Sequence, residues 1–166
     1  NKIALKAAKN KSDEMGLHSI IVTDELEGDS VKAADYMIET ALKIQKDKKI
    51  QKPVCLLFGG ETTIWINGNG TGGRNQHLAL HAALILKGKK GITLLSAGTD
   101  GNDGPTNVAG AVVDLTTCEI AAQLNLNIEE YLQNFDSFHF FQKAGGHIIT
   151  GPTMTNVMDI MIIMVE

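Results

Sequence analysis

Pro53 to Phe58 is a near-continuous apolar run closed by Gly59-Gly60. A strand with no polar face needs cover on both sides, as in a parallel sheet buried between helices. The flanking segments supply that cover. His18 to Thr23 is a short β-rich run, Val31 to Gln45 has helical periodicity, and Arg74 to Leu86 carries a wide apolar face of Leu78, Ala79, Ala82, Ala83 and Leu86. Ile92 to Leu95 is another short apolar strand. The alternation predicts an α/β fold: a layered mixed, mostly parallel sheet flanked by helices, in a single domain.

The remaining elements follow from the same signals. Ile3 to Met15 reads as an opening helix closed by Gly16. Asp24-Glu25 and Glu27-Gly28-Asp29 read as an acidic turn, with Asp29 or Ser30 capping the next helix. Lys46 to Lys52 is a solvated helix end before Pro53. Thr62 to Asn67 alternates as a further strand, with Trp65 in a packing role. Leu115 to Leu124 and Ile128 to Asn134 are predicted helices, with Thr116 or Thr117 near the start of the first and Asn127 opening the second. Ser137 to Gln142 fits a helical turn or a strand, and Val157 to Val165 is the last strand.

Composition narrows the function classes. The chain has 166 residues, 43% apolar and 20% charged, with a formal charge of −4, and so lacks the basic excess of a nucleic-acid surface. A chain of this length can bury roughly 70% of its unfolded surface without staples. Cys55 and Cys118 are too few and too isolated for a disulfide framework or zinc site, which suits a cytoplasmic protein. No apolar run approaches about 18 residues, so no membrane span is expected. The chain starts at Asn1, and it is expected to be a fragment or a processed chain.

Two glycine-rich loops carry the candidate chemistry. Gly68 to Gly73 leads into Arg74 at a helix start, where a bidentate guanidinium and free N–H groups suit a phosphate or a developing phosphoryl charge. A structural carboxylate pair is the competing role for Arg74. In the second loop, Asp100 and Asp103 can hold Mg²⁺, Asp100 can accept a hydroxyl proton, and Asp103 can equally form an Asx turn. Glu61 follows the buried strand in a comparable place. Neither loop matches a P-loop or a dinucleotide fingerprint. His77 and His81 have metal-binding spacing but no third ligand. Thr150 to Asn156 can complete a polar pocket, chiefly through Thr155 and Asn156, or can be a plain turn.

Five motifs in order carry a family resemblance: GGETT at Gly59 to Thr63, GNGTGGRNQ at Gly68 to Gln76, SAGTDGNDGPT at Ser96 to Thr106, AGAVVD at Ala109 to Asp114, and TGPTMTNVMD at Thr150 to Asp159. They closely resemble the C-terminal domain of bacterial and archaeal glycerate 2-kinases, called MOFRL. The core of the resemblance is about 53–166, with a leading helix-strand-helix over 1–52. It implies ATP- and Mg²⁺-dependent phosphorylation of D-glycerate to 2-phosphoglycerate in a cleft between two α/β domains. Arg74, Asp100, Glu61 and Asn156 match positions expected to line that cleft. Gly60, Thr62, Gly72, Gly73, Asn75, Thr99 and Thr155 are further candidates for substrate or phosphate contact, and Asp100 and Asp103 for metal.

Relatives of this type carry a larger N-terminal domain with a lysine at the site, and no lysine here takes that role. That domain is the expected partner, and the isolated chain is expected to be inactive; a homo-oligomer is a further possibility. Two other readings stand beside the kinase: an NAD(P)H-dependent hydroxypyruvate reductase, a label often given to such proteins, and a non-catalytic ligand-binding domain. The missing GxGxxG unit argues against the reductase.

Overall fold

A computed structural model describes residues 1–166. Along the chain run α1 (Lys2–Glu14), β1 (His18–Asp29), α2 (Ser30–Lys46), β2 (Val54–Thr63), α3 (Arg74–Leu86) and β3 (Ile92–Gly98). They are followed by β4 (Gly110–Val113), α4 (Leu115–Gln123), α5 (Ile128–Gln133), α6 (Ser137–Ala144), β5 (His147–Ile148) and β6 (Asp159–Val165). One sheet unites the strands in the order β1-β2-β6-β3-β4-β5.

The expected buried strand is β2, and its two faces explain the apolar run. Val54, Leu56 and Phe58 enter the main core beneath α2 and α3. Cys55 and Leu57 pack on the other face with Leu5 of α1. β6 repeats the division, with Met161, Ile163 and Val165 in the main core and Ile160, Ile162 and Met164 against the smaller cluster. α3 is buried almost all round, its alanines allowing close approach to neighbouring layers. Within this frame Asp29 caps α2 through the Val31 and Lys32 N–H groups, both at 3.1 Å, and Asn127 caps α5. Asp114 caps α4 in a capping box with Thr117. No helix is long and apolar enough to cross a membrane.

The α/β layering and the mixed sheet are as expected, but the strand directions are not mostly parallel. Only β1 and β2 run parallel; β2–β6, β6–β3, β3–β4 and β4–β5 are antiparallel. Burial on both faces is what an apolar run reports, and an antiparallel strand under two layers of helix has the same signature. The last strand, β6, inserts between β2 and β3, a long-range pairing with no local signal.

Three local expectations are also corrected, and the choice left open at Ser137 to Gln142 is resolved. β1 continues through the acidic stretch to Asp29, with register irregularities between Ile21 and Leu26 absorbing the mismatch with β2. β2 runs through Gly59-Gly60 to Thr63, so no separate strand covers 62–67. Trp65 is 84% exposed and does not pack. Ser137 to Gln142 lies in a helix, α6, which buries Phe140 and Phe141.

Gly60 is part of the strand for a steric reason. Its φ is +150°, and a Cβ there would overlap the Leu26 backbone of β1. Gly60→Ala is expected to destabilise the chain by about 3 kcal/mol through overpacking and backbone strain. Urea unfolding would register this as a lower midpoint at unchanged slope, and a midpoint like that of the wild type would refute the close-approach account.

Candidate active site

At the start of α3 the chain offers no side-chain cap of its own, because the N-cap is Gly73. Asp103, reaching over from the loop after β3, does the capping. One of its carboxylate oxygens accepts from Asn75 N at 3.0 Å and Nδ2 at 3.2 Å, and the other from Gln76 N at 2.8 Å and Nε2 at 3.0 Å. A Cβ on Gly73 would collide with Asp103, so glycine is required where one loop packs on the other. Asn75 is buried too, its Oδ1 accepting from Ser96 Oγ at 2.6 Å. Burial pushes the Asp103 carboxyl up, and the four N–H donors oppose that shift. Asp103 and Asn75 therefore differ from expectation: both are buried joints between the loops, with their polar atoms directed at each other and not at a metal or substrate.

Arg74 opens α3 and points to the ends of the central strands. Its Nε donates to Asp159 Oδ2 at 2.6 Å and its Nη2 to Asp159 Oδ1 at 2.9 Å. Nη2 also lies 2.9 Å from Glu61 Oε1. The Asp159 side chain is fully buried, whereas that of Glu61 is 51% exposed. Hydrogen bonding to Asp159 raises the Arg74 pKa, against the opposing effect of burial. Asp159 was not among the expected site residues. The one signal it gives in the sequence is an acid beginning an otherwise apolar strand.

Asp159 stands in register between Gly60 of β2 and Gly98 of β3. A Cβ on Gly98 would lie 2.7 Å from the Asn102 carbonyl oxygen, 3.2 Å from Asp100 Oδ1 and 3.6 Å from Asp159 Oδ1, so glycine lets the loop after β3 fold back over the strand end beside the two carboxylates. Asp100 Oδ1 accepts from Asn102 N at 3.0 Å, and Asn156 Nδ2 lies 3.5 Å from Asp100 Oδ2. The structure thus brings Arg74, Glu61, Asp100 and Asn156 to the carboxyl ends of β2 and β3. Thr99 is different, because its hydroxyl donates to Met158 O at 2.7 Å and accepts from Val157 N at 2.8 Å, tying loop to loop. Thr155 is exposed in the loop before β6.

A groove of about 340 Å³ lies beside Arg74, lined by Glu61, Thr62, Ile64, Ile66, Gly72, Gly73 and Pro105 among others. Thr62 is 1% exposed and its hydroxyl has no hydrogen-bond partner. The N–H groups of Gly72, Gly73 and Arg74 have no backbone partner. Unpaired donors at a helix start beside a guanidinium edge can seat an oxyanion, whereas the Thr62 hydroxyl is itself buried away from the groove. A larger cleft of about 520 Å³ around Asn125, Tyr131 and Asn134 contains no cationic side chain, so chemistry and not size selects the groove.

The two spaced histidines do not converge. His77 is buried and stacks on Phe135 with centroids 4.9 Å apart, while His81 Nε2 pairs with Asp35 Oδ1 at 2.9 Å. No group of three or more His, Cys, Asp or Glu side chains forms a ready metal cage. Mg²⁺ bound mainly through phosphate oxygens needs only one or two protein carboxylates, and the partly exposed Asp100 fits that donor set.

Two stability predictions follow from these joints. Asp103→Asn replaces an acceptor oxygen with a donor facing N–H groups, and is expected to cost about 2 kcal/mol in denaturant unfolding; an unchanged midpoint would remove the cap from its assigned role. Burial, with a smaller contribution from His81, lowers the His77 pKa from the ordinary 6.5 to about 4. The folded chain then declines a proton that the unfolded chain accepts, so stability falls as pH drops from about 6.5 towards about 4, by roughly 3 kcal/mol at most. His77→Leu is expected to flatten that part of the profile, and equal slopes for the two proteins would contradict the buried-imidazole account.

The MOFRL family profile matches residues 54–159. The chain is 43% identical over 156 residues to a D-glycerate 2-kinase of Thermotoga maritima, covering 93% of this chain and 37% of that protein. It is 35% identical over 167 residues to a glycerate 2-kinase of Pyrococcus horikoshii, covering 99% and 38%. The crystal structure of a Thermotoga maritima glycerate kinase superposes with a TM-score of 0.93 at 41% identity, over 98% of this chain and 39% of that one. The chain therefore spans roughly two fifths of the length of these relatives. With the profile matching well over half of the chain and the fold shared with that crystal structure, the chain belongs to the MOFRL family.

Proposed function

We propose that this chain is the second domain of a glycerate kinase and forms one wall of an interdomain site where ATP phosphorylates D-glycerate to 2-phosphoglycerate. The observation that carries the reading is Arg74, held in plane by a buried carboxylate and turned into a groove at a helix start, in a chain similar over nearly its whole length to proteins named glycerate kinase. Phosphoryl transfer asks the protein for positioning and charge stabilisation, and a fixed guanidinium beside free N–H groups supplies both.

Each residue then has a task. Arg74 and the Gly72 and Gly73 N–H groups bind an oxyanion of substrate or nucleotide. Asp159 holds the guanidinium plane. Asp100, steadied by the Asn102 N–H and close to Asn156, offers the carboxylate oxygen for Mg²⁺, which would neutralise phosphate charge when bound. In this reading the opposite wall, with the site lysine that the family resemblance implies, lies in the remaining three fifths or so of such a protein's length.

One experiment addresses this reading: ATP-dependent glycerate phosphorylation measured for the full-length protein, its Arg74→Ala variant and the isolated 166-residue chain. The variant is expected to lose about 10²- to 10³-fold in kcat/KM, and the isolated chain to show no turnover. Near-normal phosphorylation by the variant would favour a non-catalytic role for this domain. NADH-dependent hydroxypyruvate reduction in place of phosphorylation would favour the reductase.

A further inference from the structure

Arg74 has two carboxylate partners of unlike kind, and the difference bears on how the groove admits an anion. Asp159 is fully buried and meets the guanidinium through two hydrogen bonds, at 2.6 and 2.9 Å. Breaking that pair would strand a buried charge, so it is a permanent part of the fold. Glu61 is half-exposed and makes one contact, at 2.9 Å, on Nη2, the nitrogen that already serves Asp159. An exposed single-contact pair contributes little and breaks readily in water. Glu61 also lies in register beside Glu27 of β1, so a carboxylate swung away from Arg74 lies alongside a like charge. That neighbour favours the Arg74 contact while the groove holds no other anion. Glu61 and Arg74 line the same groove.

With Asp159 and Glu61 both in place, one guanidinium faces two carboxylates, and a third anion would add to an already negative cluster. We propose that Glu61 is an exchangeable internal counter-ion: its carboxylate occupies the outer edge of Arg74 and leaves when an incoming oxyanion takes that edge. Ligand binding is then an exchange of one carboxylate for another anion, and net charge around Arg74 stays constant. The incoming oxyanion is either the carboxylate of the hydroxy acid or a phosphate oxygen of the nucleotide. The inference rests on the kinase reading above and adds to it a residue that sets anion affinity without taking part in the transfer.

Glu61→Gln in the full-length protein tests it, with KM measured separately for glycerate and for ATP. Removing the competing charge is expected to lower at least one KM about two- to five-fold, with kcat within about three-fold of wild type. The ligand whose KM falls is the one that docks on Arg74. Glu61→Ala, which also removes the hydrogen bond, is expected to shift the same KM in the same direction. A residue that merely braced the strand would change thermal stability and leave both KM values alone; a metal ligand or proton acceptor would lower kcat by more than about tenfold. Either result, or a KM that rises, overturns the exchange. The Arg74→Ala enzyme separates the two levels: if it phosphorylates normally, the catalytic role proposed for this domain fails, whereas strong dependence on Arg74 with no gain from Glu61→Gln sinks the exchange alone.

Discussion

The ion pair between Arg74 and Asp159 joins the two halves of this architecture. Arg74 begins the central helix, and Asp159 begins the strand inserted between β2 and β3. A charge buried without its partner is costly, so the pair is satisfied only when helix start and strand start are both seated. The same geometry leaves the outer edge of the guanidinium in the groove. Stability and candidate chemistry thus draw on opposite sides of one planar group, which an ammonium could not divide in this way.

The glycine-rich loops have a different purpose from the one their composition first suggests. Gly73 gives way to the Asp103 carboxylate, Gly60 to the β1 backbone and Gly98 to the Asn102 carbonyl of its own loop. Most of this freedom is used to bring backbone and side chains close together. What remains for a ligand is narrower: the N–H groups leading into Arg74 and the rim formed by Glu61. Asp103 shows the principle most directly, since a buried carboxylate accepting four N–H donors replaces the side-chain cap that glycine cannot supply.

Much of the fold was legible because periodicity reports burial. The bounds of α3 match the apolar pattern, α1, α2, α4 and α5 agree with theirs to a residue or two, β2 is recognisable as a run with cover on both sides and β6 as the last apolar strand. Strand direction was not legible, since burial is blind to it. Nor was the continuation of β2 through Gly59-Gly60, where glycine permits a close approach and does not end the strand. In the site, Arg74, Glu61 and Asp100 stood out as charged residues in loops after buried strands. Asp159 did not, because a lone acid at the head of an apolar strand gives no hint of a partner 85 positions away.

Local order of residues therefore accounts for which segments become helices and strands, for the caps at Asp29, Asp114 and Asn127, and for a charged, glycine-rich region worth suspecting. Those properties depend on neighbours within a turn or two of chain. The sheet order, the insertion of β6, the division of Arg74 between a buried and an exposed carboxylate, and the capping of α3 by a distant aspartate arise only in three dimensions. Each depends on groups far apart in the chain whose charges and N–H donors have no partner until the layers close.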